Sequence, residues 1–287
     1  MKEDKEMLSK KQILDNFQVK EIIKEYPKSG QKRVLLIIHP VYGKVILKLV
    51  AGENERVKRE IQIVTENNFI HVPRILEIES YRIDNEEGIY LYEQFIDGLT
   101  LNEILKKGPL SLTDTMDLAE CMLSIIVQME EQKIVHRDIK PDNIIRSTSG
   151  EWFLIDFGIA RVLNLNSLTM TEARIGPHTP GYGAPELFQY SKHDIDSRAD
   201  IFSLGVVLFE AVTGKHPFLR GDEMDLNEVW YRTATVMPQI VSIKGDKDMQ
   251  FMGLIETFMQ KHITRRPKTA KKAFEWYQSV KDQIMED

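Results

Sequence analysis

The apolar residues in the first third of the chain predict a small β-rich lobe. Val34–Ile38 and Val45–Val50 are runs of β-branched and aliphatic residues, and the turn-forming segment His39–Gly43 lies between them. This order predicts a β-hairpin. Two further strands are predicted near Ile75–Ile78 and Ile89–Phe95.

A short helix is predicted between the hairpin and these later strands. Val57, Ile61 and Val64 recur at i, i+4 and i+7, the spacing of one helix face. Residues 17–97 therefore form strands with one main helix. Residues 1–16 are strongly charged and predict a tail or a short leading helix.

Helical patterns dominate after Gly98. Ser111 or Thr113 is a suitable capping residue for a helix through Met116–Met129. Ile201–Val212 is apolar nearly all round, with Gly214 as a stop signal. The predicted fold class is α+β, with a larger helical lobe over 98–287. The junction lies near Asp97–Gly98, and the cleft between two such lobes is a natural place for a small-molecule ligand.

Composition narrows the function classes. The 287 residues are 42% hydrophobic and 29% charged, as in soluble globular proteins, and the net charge of −6 argues against bulk nucleic-acid or membrane binding. No apolar run is long enough to span a membrane, and no apolar leader follows Met1. The single cysteine, Cys121, excludes an internal disulfide and predicts a buried structural thiol. A cytoplasmic, reducing location is expected.

Two short motifs carry the chemistry. His136–Asn143 has the form H-R-D-x-x-x-x-N, and Asp156-Phe157-Gly158 follows the predicted strand Trp152–Ile155. Together they supply carboxylates, an amide and an ammonium, the groups that phosphoryl transfer needs for positioning and charge neutralisation. The alternative is a polar loop in which the aspartates cap turns.

These motifs resemble those of the eukaryotic-type Ser/Thr protein kinase family, and the lysine in H-R-D-x-K is typical of its Ser/Thr branch. The resemblance implies the bilobal protein-kinase fold over residues 17–284, with ATP and Mg²⁺. It implies that Asp138 accepts the substrate hydroxyl proton and that Lys140 contacts the γ-phosphate. Asn143 and Asp156 would hold the metal.

Lys48 lies on an otherwise apolar strand face, where an unpaired ammonium would be costly. Glu60 shares a helix stripe with Val57 and Val64 and is the expected partner. Alone, the two would suggest a surface ion pair. The resemblance instead assigns Lys48 to the α- and β-phosphates and Glu60 to orienting it. The residues expected around the nucleotide are Lys48, Ser29, Gly30, Val34, Ile46, Glu93, Phe95, Asn143 and Asp156.

The nucleotide pocket departs from the family pattern in three places. The phosphate-covering loop retains only Gly30, so its backbone cradle is weakened, and Lys28, Lys32 and Arg33 either compensate with charge or form a solvated hairpin tip. Ile46 replaces the usual alanine over the adenine. Glu93 occupies the gatekeeper position at the back of the pocket.

The segment from Asp156 to Glu186 resembles an activation segment that closes with A-P-E. The resemblance predicts that Arg266 pairs with Glu186, that Thr179 contacts the catalytic loop, and that Asp200 ties its helix to that loop's backbone. Asp200 is also a candidate helix cap, and this role is compatible with the first. Because Arg137 precedes the catalytic aspartate, autophosphorylation is expected in this segment. The candidates are Ser167, Thr169 and Thr171.

Three functions remain open from the sequence. The first is an active kinase that phosphorylates Ser or Thr hydroxyls of a protein substrate. The second is a pseudokinase scaffold, suggested by the eroded glycine loop and Ile46. The third is a small-molecule phosphotransferase. The sequence identifies neither the substrate nor the oligomeric state.

Overall fold

The computed structural model describes residues 8–27, 32–52, 65, 69–156, 179–188 and 195–285. The chain divides into two compact units. Unit 1 comprises Met1–Asn68 and Pro73–Asp97, and unit 2 comprises Phe69–Val72 and Gly98–Asp287. Among the helices in these ranges, none combines the length and the apolar character needed to cross a bilayer.

Unit 1 contains a five-stranded antiparallel sheet with the strand order β1-β2-β3-β5-β4. Its elements are the helix α1 (Lys10–Asn16) and the strands β1 (Glu21–Glu25), β2 (Lys32–His39), β3 (Gly43–Ala51), β4 (Ile75–Ile83) and β5 (Glu86–Gln94). The predicted hairpin is confirmed as β2–β3, in which His39 pairs with Gly43 across the turn. The helix predicted around Val57–Val64 lies outside the described residues.

The leading helix α1 packs on one face of this sheet. Ser9 caps it by accepting a hydrogen bond from Gln12 N, and Ile13 is fully buried. Phe17 joins the core formed by this face, and the Tyr92 hydroxyl donates to the Phe17 carbonyl. The core consists of Leu8, Ile13, Phe17, Val19, Leu35, Ile37, Val45, Leu47, Leu49 and Tyr92.

Unit 2 is mainly helical, as predicted. Its elements are β6 (Gly98–Thr100), α2 (Leu101–Leu105), α3 (Leu112–Glu131), β7 (Ile144–Ser147), β8 (Trp152–Leu154), α4 (Pro185–Phe188), α5 (Ser197–Thr213), α6 (Leu226–Thr235), α7 (Gln250–Phe258) and α8 (Ala270–Met285). Short 3₁₀ turns occur at Pro141–Asn143, Lys247–Met249 and Ile263–Arg265. The β6, β7 and β8 strands form a small antiparallel sheet.

Helix α5 is the centre of unit 2. It packs against α3 and α7, and α8 packs against α3. Of the two predicted capping candidates, Ser111 caps α3 by accepting a hydrogen bond from Asp114 N. Gly214 ends α5 in the left-handed conformation with φ 70°, which glycine adopts without strain. Asp196 rather than Asp200 caps α5, so the interpretation of Asp200 as a helix cap is wrong.

Cys121 is a structural thiol within α3. Its Sγ donates to the Trp152 carbonyl oxygen at 3.3 Å, which ties the helix to β8. Burial raises the pKa of the Cys121 thiol to about 12, so the reactive thiolate is not formed near neutral pH.

Candidate active site

Asp138 lies at the centre of a polar cluster in unit 2. Its Oδ1 accepts a hydrogen bond from the Thr179 hydroxyl at 2.6 Å, and its Oδ2 lies 2.8 Å from Lys140 Nζ. Lys140 Nζ also donates to Thr179 Oγ1 at 2.7 Å. The three side chains therefore form a closed triangle, and the predicted contact of Thr179 with the catalytic loop is confirmed.

Asn143 adds a fourth side chain to this cluster. Its amide nitrogen donates to Asp138 twice, to the backbone carbonyl at 2.8 Å and to Oδ2 at 3.0 Å. Because the nitrogen is used in this way, the carbonyl oxygen of the amide is the atom suited to a cation. The side chain is largely buried, which fixes its orientation.

The small sheet brings Asp156 close to Asn143 along the backbone. Ile144 pairs with Leu154, and one residue further out Ile155 N donates to the Asn143 carbonyl at 2.8 Å. Asp156 follows immediately. Its φ of 62° is uncommon for a non-glycine residue, and such strained conformations cluster at functional sites.

Asp200 holds the backbone of the loop that precedes Asp138. Its two carboxylate oxygens accept hydrogen bonds from His136 N and Arg137 N, each at 2.8 Å. Asp200 is fully buried, and this burial raises the pKa of its carboxyl, while the two backbone bonds favour the charged form. Arg137 has a φ of 66°, so the clamp holds a left-handed turn just before Asp138.

This arrangement agrees with the comparison with known families. A family model described as the protein kinase domain matches residues 39–277, most of the chain. The chain belongs to the protein kinase family. The matched range begins at the last residue of β2, so α1, β1 and almost all of β2 lie before it.

Bacterial serine/threonine-protein kinases are among the curated relatives of this chain. The serine/threonine-protein kinase PrkC of Bacillus subtilis is 34% identical over 170 residues, which is 58% of this chain and 25% of that protein. The serine/threonine-protein kinase PknA of Mycobacterium tuberculosis is 39% identical over 137 residues, 47% of this chain and 31% of that protein. The chain thus matches only a quarter to a third of these relatives' lengths.

Unit 1 places the kinase-type lysine, Lys48, in a buried ion pair. Lys48 Nζ lies 2.8 Å from each carboxylate oxygen of Glu93. Both side chains are buried, with exposed fractions of 3% and 9%. The sequence pointed to Glu60 as the partner, and Glu60 lies outside the described residues. The contact with Glu93 was not predicted.

Four of the residues expected around the nucleotide share one face of the unit 1 sheet. Val34 pairs with Lys48 across β2–β3, and Ile46 pairs with Glu93 across β3–β5. Antiparallel partners project to the same face, so the four form one surface. Phe95 follows the end of β5, and the Lys44 ammonium lies 4.4 Å from its ring centre.

Arg33 does not contribute charge to this face. It pairs with Leu49, which places its side chain on the opposite face, towards α1. There Arg33 Nε lies 2.6 Å from Glu25 Oε1, and Nη1 donates to the Leu8 carbonyl. Arg33 is buried, so both readings of it, as a phosphate-loop cation and as a solvated hairpin tip, are wrong.

The end of the activation segment is fixed to the core of unit 2. Arg266 forms a bidentate pair with Glu186, with nitrogen–oxygen distances of 2.6 and 2.9 Å, and the Arg266 side chain is fully buried. The predicted pairing is therefore confirmed. Planar, two-point pairing is the geometry for which arginine is suited.

Sequence reasoning missed a second anchor of this segment. The Tyr182 hydroxyl donates to Glu210 Oε2 at 2.6 Å, and burial raises the pKa of Tyr182. The Tyr182 ring also packs edge-on against His216, with ring centres 4.8 Å apart. Tyr182 directly follows Gly181, and a single residue separates it from the A-P-E motif. This position next to the motif was the available signal.

Several predicted residues lie outside the described ranges, so their expected roles remain predictions. They are Lys28, Ser29 and Gly30 of the phosphate loop, Glu60, Phe157 and Gly158 of the D-F-G motif, and the candidate phosphorylation sites Ser167, Thr169 and Thr171.

Proposed function

We propose that this chain is an ATP-dependent protein serine/threonine kinase. It would transfer the γ-phosphoryl group of ATP to a Ser or Thr hydroxyl of a protein substrate. The observation that carries the proposal is the Asp138 carboxylate, which Thr179, Lys140 and Asn143 orient together. Membership of the kinase family and the named relatives support the same activity.

In this proposal Asp138 orients the acceptor hydroxyl and takes its proton. The acceptor oxygen forms a bond to the γ-phosphorus, the bond from that phosphorus to the β–γ bridging oxygen breaks, and ADP leaves. Lys140, already 2.8 Å from Asp138, would contact the γ-phosphate and offset its charge. Thr179 would hold both side chains in place during transfer.

The kinase family uses ATP with a divalent metal, and we propose Mg²⁺. The carbonyl oxygen of Asn143 and the carboxylate of Asp156 are hard oxygen donors of the kind that Mg²⁺ prefers. The backbone hydrogen bond from Ile155 to Asn143 keeps these two donors adjacent along the small sheet. When bound, the ion would neutralise charge on the phosphate oxygens.

Lys48 of unit 1 would bind the α- and β-phosphates of the same nucleotide. Ile46 and Val34, which share its sheet face, would contact the base, as the family resemblance implies. Autophosphorylation at Ser167, Thr169 or Thr171 and a cytoplasmic location stay predictions from the sequence. The partners proposed are ATP and a protein carrying Ser or Thr, with no nucleic acid.

The proposal is tested by measuring transfer of labelled γ-phosphate from Mg-ATP to a generic acceptor protein. Asp138→Asn removes the charge but keeps the size of the side chain. We expect transfer to fall on the order of 10²–10⁴-fold, because proton acceptance and orientation are lost together.

Asp142→Asn is the matched control. Asp142 lies in the same loop and is exposed, and it accepts a hydrogen bond from Asn102 at 2.6 Å. Its variant should retain transfer, and acid hydrolysis of the product should yield phosphoserine or phosphothreonine. Nucleotide binding without any transfer by the unaltered protein would instead favour the pseudokinase scaffold.

A further inference from the structure

The Lys48–Glu93 pair is a feature that the kinase resemblance does not explain. The resemblance gives Lys48 the task of binding phosphates. In this chain the ammonium already contacts both oxygens of a buried carboxylate at 2.8 Å. The phosphates of a nucleotide and the Glu93 carboxylate would therefore bind the same ammonium.

The sheet register builds this pair into unit 1. Lys48 pairs with Leu91 and Ile46 pairs with Glu93, so Lys48 and Glu93 are diagonal neighbours on one face. Diagonal side chains on adjacent antiparallel strands are about 7–8 Å apart at their backbones, within reach of long side chains. Both strands are central in the sheet, since β3 lies between β2 and β5 and β5 lies between β3 and β4. The pair therefore joins two well-supported strands.

Because the pair is buried, its charges have a strong effect on the stability of the protein and on the binding of phosphate. An ammonium taken out of water needs a compensating partner, and Glu93 provides one in the free protein. The same carboxylate adds a negative charge next to the group that would attract phosphate. A neighbouring anion weakens binding of another anion at the same cation, more so where water is excluded.

We propose that Glu93 is a positioning residue that holds the Lys48 ammonium in the free protein and competes with nucleotide phosphates for it. Glu93 thereby lowers the affinity for ATP, and Lys48 moves part of its contact from the carboxylate to the phosphates when nucleotide binds. This inference rests on the proposed function, which supplies the phosphates.

The test compares ADP and adenosine binding by titration calorimetry in the unaltered protein and in Glu93→Gln. The glutamine keeps the size and an oxygen that can accept from Lys48, but not the charge. We expect the dissociation constant for ADP to fall about threefold to tenfold, because the phosphates no longer compete with a charged carboxylate for the Lys48 ammonium. Adenosine has no phosphates, so its affinity should not change. The free variant should also melt at a lower temperature, since the buried ammonium has lost the negative charge of Glu93.

Two glutamate variants and one double variant serve as controls. Glu93→Asp keeps the charge, so it should bind ADP like the unaltered protein. Glu87→Gln removes a carboxylate from the same strand, where Glu87 forms an exposed pair with Arg82 at 2.6 Å, and should change nothing. In a Lys48→Met background the gain in ADP affinity from Glu93→Gln should vanish, because the ammonium for which Glu93 and the phosphates compete is gone.

Unchanged or weaker ADP binding by Glu93→Gln would overturn the proposal. So would an equal change for ADP and adenosine, which would indicate a general effect on the pocket. A gain that persists in the Lys48→Met background would also contradict it, because it would not act through Lys48. These readouts need no phosphate transfer. Tighter ADP binding in a protein that transfers no phosphate would therefore refute the proposed function while leaving this inference intact.

Discussion

The Asp138 cluster in unit 2 and the Lys48–Glu93 pair in unit 1 are held in different ways. Asp138 is fixed by three side-chain donors, and the backbone just before it is fixed by Asp200. Lys48 is held by a diagonal cross-strand pair with Glu93. The first site follows the family pattern closely, whereas the second departs from it.

The contrast separates two requirements of a kinase. The transfer step needs a carboxylate and an ammonium in fixed positions, and a small displacement of either is costly. Nucleotide affinity can be achieved by several arrangements of side chains, because it depends on a balance of charges around the phosphates. Departures from the family pattern in unit 1 therefore change affinity more readily than they change the class of reaction.

The largest effect on stability is expected from Asp200→Ala. This substitution leaves the backbone N–H groups of His136 and Arg137 without their carboxylate, inside the core. The free energy of unfolding should fall by about 2–5 kcal/mol. Transfer should fall roughly a hundredfold, because the loop that carries Asp138 shifts. Denaturant titration and the transfer assay measure the two effects.

Asp196→Ala is the control for this prediction. Asp196 caps the same helix and pairs with Arg198 at 2.6 Å, but it does not touch the catalytic loop. Its loss should cost only about 1 kcal/mol, with transfer retained. If both variants lost transfer equally, the rigidity of the Asp138 site would come from helix α5 as a whole rather than from the Asp200 clamp.

In unit 1 the next largest effect is expected from Ile13→Ala. Ile13 is fully buried between α1 and the sheet face opposite Lys48. Removing its side chain should lower the free energy of unfolding by about 2–4 kcal/mol, measured by denaturant titration. Leu14→Ala on the same helix, where Leu14 is 40% exposed, should cost far less. An equally large loss of unfolding free energy in Leu14→Ala would mean that α1 packs differently from the described arrangement.

The smallest predicted effect is a dependence of stability on pH through His216. Its Nδ1 accepts hydrogen bonds from the backbone N–H groups of Phe218 and Leu219, at 3.1 and 3.0 Å, which requires an unprotonated ring nitrogen. Burial lowers the pKa of His216 from 6.5 to about 4, while Glu223 acts weakly in the opposite direction. Between these values the unfolded chain binds a proton that the folded chain does not. Stability is therefore lost as the pH falls from 6.5 towards 4.

His216→Asn should reduce this acid sensitivity. An asparagine oxygen can accept the same backbone hydrogen bonds but does not titrate in this range. Between pH 7 and pH 5 the unaltered protein should lose about 1–2 kcal/mol more than the variant. Stability is measured by thermal or denaturant unfolding at the two pH values. If the unaltered protein and His216→Asn lost the same free energy of unfolding, His216 would be ruled out as the source of the acid sensitivity.

Local patterns and motifs were sufficient for much of the fold and for the unit 2 site. The hairpin at His39–Gly43, a capped start of α3 at Ser111 or Thr113, and the Gly214 stop were all predicted from adjacent residues. The contacts of Thr179 and Asp200 followed from the family motifs. In each case the relevant signal lies in a short run of sequence or in a motif with fixed spacing.

Features that depend on strand register were not predicted. Arg33 and Glu25 meet because β1 and β2 pair, and Lys48 meets Glu93 because β5 lies beside β3. The predicted helix stripe and the family resemblance favoured Glu60 as the partner of Lys48. The available signal was Glu93 itself, a charged residue that continues the alternation of Ile89 and Leu91 towards the same face.

The most direct test of the contrast between the two sites is steady-state kinetics with ATP as the varied substrate, for Asp138→Asn and Glu93→Gln in parallel. The account predicts that Asp138→Asn lowers kcat on the order of 10²–10⁴-fold with little change in KM. It predicts that Glu93→Gln lowers KM for ATP about threefold to tenfold and leaves kcat nearly unchanged. A large loss of kcat in Glu93→Gln, or a kcat in Asp138→Asn equal to that of the unaltered protein, would contradict it.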